Sequence, residues 1–113
     1  MNKGSLEETF ALIHEHWRPK VVAELNGQEV KLVKFAGVFP WHHHDREDEF
    51  FLVWRGRMTI EFRDRRVTLQ PGEFCVVPRG VEHRTLTFSF VGNRLRNSHA
   101  LSAKDTARSR TCF

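Results

Sequence analysis

The residues best able to do chemistry lie in one short segment, residues 42–49. The segment holds three consecutive histidines and four acidic residues, and its last residue, Glu49, directly precedes an apolar run. In a β-strand alternate side chains share one face, so His42 and His44 would point together while His43 points away. A carboxylate at the start of an apolar strand is either solvated or held by a partner. A cation bound by the two imidazoles would be such a partner for Glu49.

A further ligand must come from another part of the chain, and His83 is the histidine that stands in a strand-and-turn context. Two imidazoles from one strand, a carboxylate from the next and a third imidazole from a distant strand can converge inside a small β-structure. Mixed nitrogen and oxygen ligands suit Fe, Mn, Ni, Cu or Zn and leave coordination positions for water or substrate. The other acids of the segment, Asp45, Glu47 and Asp48, are expected in a solvated linker. The pattern therefore predicts one divalent transition metal without fixing its identity.

The first element of the chain is predicted to be a helix. Ser5 followed by Glu8 is a capping-box pattern. Apolar residues then recur at helical spacing until Pro19 ends the run; they are Leu6, Phe10, Ile13 and Trp17. We therefore expect a short amphipathic helix over residues 5–18.

After Pro19 the sequence changes to the period of two that is typical of strands. Asn26-Gly27 between the two alternating runs 20–25 and 28–35 predicts a hairpin with a type I′ turn. Further short strand-like runs, separated by Gly, Pro or a charged turn, are VFPWHHH, EFFLVWR, RMTIEF, RVTLQ, EFCVVP and HRTLTFSFV. This spacing favours an all-β antiparallel sandwich or barrel, for which a jelly roll over residues 20–91 is one solution.

The basic charge of the chain is confined to its last quarter. The net charge is +4, but residues 1–83 hold 12 basic against 13 acidic side chains, whereas residues 84–113 hold 6 against 1. A nucleic-acid-binding domain carries its basic patch on a folded face with a recognisable motif. No such motif is present, so nucleic-acid binding is not expected. Residues 92–113 are predicted to form a solvated basic tail, and loss of the natural reading frame near Arg84 is an alternative explanation of the change in charge.

The sequence carries none of the signals of a secreted or membrane protein. No segment approaches the roughly 18 consecutive apolar residues of a membrane span, and the N-terminal residues lack the apolar run of a signal peptide. The two cysteines, Cys75 and Cys112, do not make a disulfide framework. A cytoplasmic location without membrane association is expected.

Two motifs of the chain resemble those of the cupin superfamily. The first runs Gly37, four residues, His42-His43-His44, four residues, Glu49, six residues and Gly56, where the family pattern has five residues after the first glycine. The second runs Gly72, five residues, Pro78-Arg79-Gly80, two residues and His83, and Thr87 stands where the family has asparagine. The likeness is closest to small single-domain cupins of the mannose-6-phosphate-isomerase-like type.

This resemblance implies a jelly-roll barrel and assigns the metal ligands. His42, His44, Glu49 and His83 match the ligand positions of the family, whereas His43 does not. It also implies a small-molecule ligand or substrate and an activity of the isomerase or dioxygenase type. The alternative is a non-catalytic module that senses a small ligand or the metal, because fold does not fix function.

Four residues are candidates for the lining of a pocket beside the metal, although a strand aromatic is more often a core or interface residue and an arginine in a turn is usually solvated. Phe51 shares the face of Glu49, and Met58 belongs to an alternating apolar set. Trp41 flanks the site in sequence, and Arg79 lies in the turn before His83. Cys75 is expected to be an inert buried thiol.

The aromatic content predicts a homodimer. The chain contains 10 Phe and 3 Trp in 113 residues, and a barrel interior accepts only alternate strand positions. Some aromatic side chains must therefore face outward, where large apolar patches usually mark an interface. A twofold pairing through outer sheet faces would bury them.

Overall fold

The computed structural model describes the backbone of residues 3–87, 89–91, 94–96 and 98–105 and the side chains of residues 3–87 and 98–104. One helix and eleven strands lie in these ranges. They are α1 (Leu6–Ala11), β1 (Lys20–Leu25), β2 (Gln28–Phe35), β3 (Gly37–Val38), β4 (Glu49–Arg55), β5 (Met58–Phe62), β6 (Arg66–Leu69), β7 (Phe74–Val77), β8 (His83–Thr87), β9 (Ser89–Val91), β10 (Arg94–Arg96) and β11 (Ser98–Asp105).

The strands confirm the predicted all-β, antiparallel class. One sheet has the order β1-β2-β11-β4-β7, a second has the order β3-β8-β5-β6, and β9 pairs with β10 in a separate hairpin. Among the described residues the two larger sheets are not joined into the closed barrel that the sequence predicted. They share one hydrophobic core, whose buried members come from both sheets: Val33, Phe35, Phe51, Val53, Met58, Ile60, Phe62, Leu69, Val77 and Ala100.

The first hairpin confirms its predicted turn. Asn26 and Gly27 both have positive φ angles, 50° and 77°, as a type I′ turn requires. The flanking strands pair from Leu25 opposite Gln28 onward, with an irregularity between Val21 and Ala23. Because β1 occupies one edge of β2, β11 pairs with the opposite edge of β2.

The helix begins as predicted but ends early. The Ser5 side chain accepts a hydrogen bond from the Glu8 amide at 3.2 Å, and α1 stops at Ala11. The predicted continuation to residue 18 is wrong, because Trp17 adopts a φ of 62° and its amide donates to the Lys34 carbonyl at 2.9 Å. Its ring contacts Phe35 at 5.2 Å, so packing on the sheet replaces the last helical turns. Among the described helical residues, no helix is long and apolar enough to cross a membrane.

The predicted solvated tail over residues 92–113 is wrong for residues 98–105. These residues form β11, which pairs with β2 on one side and with β4 on the other. Its inward residues Ser98, Ala100, Ser102 and Lys104 are all buried. Small side chains fit this central strand because Phe51 and Val53 of β4 already fill the interior beside it. Residues 106–113 lie outside the described part of the chain.

The predicted strand over residues 38–44 is mostly irregular. Only Gly37–Val38 forms a strand, opposite Leu86 and Thr87 of β8. Pro40 has no backbone N–H and interrupts the pairing. Pairing resumes only at His42, which forms an isolated bridge with His83.

Candidate metal centre

Four side chains converge at one end of the interior, and we call His42, His44, Glu49 and His83 the ligand cluster. Each residue offers one ligand atom, and these atoms all lie within 4.8 Å of one another. His44, Glu49 and His83 are buried, and His42 is half-buried. The four residues that the sequence predicted as ligands are therefore brought together, and metal binding by them stays a prediction.

Backbone contacts hold the histidines of the ligand cluster in place. His42 and His83 each donate an amide N–H to the carbonyl of the other at 2.9 Å, which fixes their rings side by side with centroids 4.4 Å apart. The His44 carbonyl accepts a hydrogen bond from the Gly80 amide at 2.7 Å. Glu49 is the first residue of β4 and faces the same side as Phe51. The turn before β8 and the start of β4 thus position the cluster from two directions.

Backbone carbonyls lie close to one ring nitrogen of His42 and of His83. His42 Nδ1 lies 2.9 Å from the Pro40 carbonyl, and His83 Nδ1 lies 2.9 Å from the Val81 carbonyl. A proton on each Nδ1 satisfies these carbonyls and leaves the lone pair on Nε2 for a metal.

The buried polar atoms that have no hydrogen-bond partner in the cluster are those that would bind a metal. Among the described residues, the Nε2 atoms of the three cluster histidines and both oxygens of Glu49 are buried without a hydrogen-bond partner. Buried polar atoms are normally satisfied. Three imidazole nitrogens and one carboxylate fit a first-row divalent ion.

His44 is held differently, by a carboxylate. Its Nδ1 lies 3.6 Å from Glu47 Oε1, and its Nε2 lies 3.3 Å from Glu49 Oε1. Glu47 is buried, so its expected place in a solvated linker is wrong. A carboxylate behind a metal-binding imidazole fixes the ring and increases its basicity. The spacing of three residues between His44 and Glu47 was the available signal for this contact.

Burial favours the neutral imidazole at two members of the cluster, His83 and His42. It lowers the pKa of His83 to about 4, against the ordinary 6.5. Burial also lowers the pKa of His42, although the hydrogen bond to the Pro40 carbonyl opposes the shift. Neutral imidazole is the form that binds metals, so these two side chains are in the ligand form at neutral pH.

Acidification of the metal-free protein is expected to destabilise it. His83 has a lower pKa when folded than when unfolded, so the unfolded chain takes up a proton first as the pH falls below 6.5. The stability present at neutral pH is then lost progressively until the pH passes the folded value of about 4. One such imidazole contributes on the order of 2–3 kcal/mol. Urea unfolding of EDTA-treated protein at about pH 7 and about pH 4.5 measures this difference.

A non-titrating variant isolates the contribution of His83. His83→Gln should lose less stability than the wild type between the two pH values. His14→Gln is the matched control, because His14 is exposed, and it should keep the wild-type pH dependence. Equal losses in His83→Gln and the wild type would contradict the assignment.

The residues outside the ligand cluster have other partners. His43 is exposed and lies 2.9 Å from Asp45 Oδ1. The Asp48 carboxylate accepts a hydrogen bond from the Arg79 amide at 2.9 Å, and this bond lowers the pKa of Asp48. Thr87, at the position where asparagine was expected, accepts a hydrogen bond from the Gly37 amide through Oγ1 at 3.2 Å.

The four expected pocket residues divide into two pairs. Phe51 and Met58 are fully buried in the core, as expected for interior residues. Trp41 instead stacks on the guanidinium of Arg63, 3.7 Å from its ring centroid. The Arg79 side chain is largely exposed and lies 3.3 Å from Asp48. A cation–π contact engages Trp41 and an ion pair engages Arg79, and the pocket role of both residues stays a prediction.

Sequence reasoning missed Lys104, which β11 brings to the ligand cluster. Its ammonium lies 3.9 Å from Glu49 Oε2, and its side chain is almost completely buried. The register explains the contact, because Ser102 lies opposite Phe51 and the following positions bring Lys104 to Glu49. The sequence signal that could have indicated this contact is the alternation of small residues before Lys104.

Cys75 is half-buried, and burial raises the pKa of its thiol.

Comparison with known proteins gives a family and a relative. A family model described as the cupin domain matches residues 23–87. The uncharacterized protein YdbB of Bacillus subtilis (strain 168) is 35% identical over 68 residues, which are 59% of this chain. The chain spans 60% of the length of that relative.

Solved structures resemble the whole fold. A cupin-2 domain containing protein from Shewanella frigidimarina has a TM-score of 0.80 and 38% identity, over 89% of this chain and 92% of its own. A structure of hydroquinone 1,2-dioxygenase PnpCD in complex with Fe3+ has a TM-score of 0.74. Its identity is 17%, and the match covers 94% of this chain and 33% of the dioxygenase chain. At that identity the likeness concerns the fold alone.

Proposed function

The chain belongs to the cupin family, and from this premise we propose that it binds one divalent transition metal at the ligand cluster and acts through it on a small polar molecule. The observation that carries the proposal is the set of buried Nε2 and carboxylate atoms without hydrogen-bond partners among the described residues. Such a set is costly to bury unless a cation completes it.

The residues around the cluster support this function in distinct ways. His42 and His83 would present Nε2 because backbone carbonyls hold their Nδ1 atoms. Glu47 would orient His44. When bound, the metal would supply Lewis acidity toward a carbonyl or, as Fe(II), dioxygen chemistry. The protein would hold the reacting molecule in an interior lined by Phe51 and Met58 and exclude water from it.

Metal analysis of protein prepared without a histidine tag tests the proposal. We expect about one transition metal per chain after loading with Fe, Mn, Co, Ni, Cu or Zn. EDTA-treated protein should take the ion up again with a cooperative gain in thermal stability, because an ion that binds only the folded state stabilises it. A chain that takes up none of these metals would refute the function.

Two activities remain part of the proposal. The isomerase or dioxygenase type is supported by the donor set, and the fold is shared with PnpCD, which is named a hydroquinone 1,2-dioxygenase. The alternative, a non-catalytic metal or ligand sensor, is favoured by a chain that contains no tyrosine to act as a second acid or base. Turnover of sugar phosphates or oxidisable small molecules by the metal-loaded protein separates the two.

The proposal also includes the jelly-roll connectivity, the mannose-6-phosphate-isomerase-like subtype and a cytoplasmic location.

We also propose that the protein is a homodimer. Phe74 and Val76 on the edge strand β7 are more than half exposed, and the Phe50 ring lies 5.7 Å from that of Phe74. Pairing places these residues on the outer face of the sheet, opposite the core. A second copy of this chain is the occupant we infer, because an apolar patch at a sheet edge can pair with itself around a twofold axis.

Sedimentation at micromolar concentration measures the assembly. The wild type should sediment as a dimer, and Phe74→Glu should sediment as a particle of 13.3 kDa. Leu12→Glu is the control, because Leu12 is 76% exposed and lies outside β7. A monomeric wild type would exclude the dimer, and a dimeric Phe74→Glu would exclude this interface.

A further inference from the structure

A second candidate site lies between α1 and the outer face of the five-stranded sheet. A cavity of about 210 Å³ opens there, and it is lined by residues of α1, β2, β4 and β11 that include Glu7, Phe10, Lys34, Trp54, Arg55 and His99. The register brings the strand residues together, because His99 lies opposite Lys34 on one side and opposite Arg55 on the other. No member of the ligand cluster lines this cavity. It is therefore a place for a ligand other than the metal.

Part of the cavity wall is apolar and aromatic. Phe10 is buried, and its ring stacks on that of His99 with centroids 5.0 Å apart. Trp54 packs against the same small core as Phe10, which α1 forms with Leu32 of β2. A ligand with an aromatic or apolar body would remove these walls from water.

The polar part of the wall offers hydrogen-bond donors. Among the described residues, Trp54 Nε1 is a buried atom without a hydrogen-bond partner. An indole N–H can only donate, and a buried donor is normally satisfied. The Lys34 ammonium donates one hydrogen bond to the Ile13 carbonyl and has three N–H groups. An acceptor in the cavity would complete the hydrogen bonding of both side chains.

The lining carries an excess of positive charge. Arg55 and Glu7 form an ion pair at 3.0 Å and offset each other, which leaves the charge of Lys34. His99 responds to the same surroundings. Burial lowers the pKa of His99, and the positive charges of Lys34, Arg55 and His16 lower it further.

Charges near the two ends of α1 do not reverse this sign. Glu15 lies 3.7 Å from Arg18 and 3.5 Å from Lys20, so one acid there meets two bases. The exposed Glu8 of α1 offsets at most one of these positive charges. Together with the charge of Lys34, the balance stays at one positive charge or more.

From the indole N–H, the Lys34 ammonium and the apolar walls we propose that this cavity binds a small organic carboxylate with an aromatic or apolar body. A carboxylate supplies the acceptors that Trp54 and Lys34 lack, and its single negative charge matches the excess of the lining. Inorganic phosphate fits less well. It would leave the aromatic walls uncovered, and its second negative charge would face Glu7.

Benzoate, its neutral analogue benzamide and inorganic phosphate are the probes for this inference. Binding is followed by the indole N–H signals of the three tryptophans in NMR spectra of ¹⁵N-labelled protein. Trp54→Phe identifies the Trp54 signal by its loss. Millimolar benzoate should shift that signal more than the other two, and it should bind at least about fivefold more tightly than benzamide.

Variants of Lys34 test the role of the charge. Lys34→Met should bring the ratio of benzoate to benzamide affinity close to one. Lys20→Met is the matched control, because it removes the same charge from the exposed strand β1, and it should keep the wild-type ratio. If the loss of the bond to Ile13 prevents folding of Lys34→Met, Lys34→Gln replaces it, because its amide retains N–H donors.

The outcomes distinguish this site from the ligand cluster. EDTA-treated protein should bind benzoate as the untreated protein does, whereas loss of binding after EDTA would place benzoate at the metal and overturn the site. An unshifted Trp54 signal, or equal wild-type affinities for benzoate and benzamide, would also overturn it. Phosphate that bound as tightly as benzoate would exclude the organic class of ligand.

Discussion

Replacement of His44 by alanine is expected to reduce the metal content of the protein to a small fraction of the wild-type value, with an affinity at least about a hundredfold lower. The reason is geometric. His44 Nε2 lies 3.3 Å from Glu49 Oε1 inside the ligand cluster, and its other ring nitrogen faces the buried Glu47. Removal of the ring deletes one of the four proposed ligands and also leaves Glu47 without the imidazole that it faces. Elemental analysis of tagless protein after dialysis gives the metal content per chain.

His43→Ala is the matched control for this experiment. His43 is the neighbour of His44 in the chain, but its side chain is about half exposed and lies beside Asp45. Its removal should leave the metal content nearly unchanged. If both variants lost the metal equally, the alternation that places His43 outside the cluster would be wrong.

Replacement of Ala100 by aspartate should unfold most of the protein. Ala100 is fully buried in the middle of β11, between Val33 of β2 and Val53 of β4. A carboxylate at this position would be buried among apolar side chains without a partner, at a cost of more than about 3 kcal/mol. This is a large share of the 5–15 kcal/mol that stabilises an ordinary domain. Chemical unfolding followed by circular dichroism measures the loss.

Ala103→Asp provides the comparison within the same strand. Ala103 is partly exposed and faces the opposite side of the sheet, next to Phe50. The same substitution there should cost about 1 kcal/mol or less. Two equally mild variants would show that residues 98–105 do not form the central strand.

The sequence was sufficient for the ligand cluster because the signals there are strong and local. Alternation separated His42 and His44 from His43, and the resemblance to the two cupin motifs assigned Glu49 and His83 to the same cluster. The hairpin at Asn26-Gly27 was equally clear, because few residues other than asparagine and glycine adopt two consecutive positive φ angles.

The missed features depend on contacts between distant parts of the chain. The composition of residues 92–113, which include few large apolar residues, predicts a solvated tail. The alternation within residues 98–105, which form β11, is a weaker signal than this composition. A strand between β2 and β4 needs small inward side chains, and only the three-dimensional structure shows that Phe51 and Val53 fill the space beside it. The helix end was misplaced for a similar reason. The contact of Trp17 with Phe35 and Phe39 outweighs helical periodicity.

The pairing of β11 with both β2 and β4 has a consequence for the order of folding. The middle strand of the five-stranded sheet comes after every other strand of that sheet in the chain, and about seventy residues separate Val33 from its partner Ala100. The sheet therefore closes through contacts of long sequence separation, which fold slowly because the loop entropy is lost before the contacts form. Until β11 arrives, β2 and β4 each present an unpaired edge to other chains. The nascent protein therefore passes through a period of vulnerability to edge-to-edge aggregation that ends only when residues 98–105 enter the sheet.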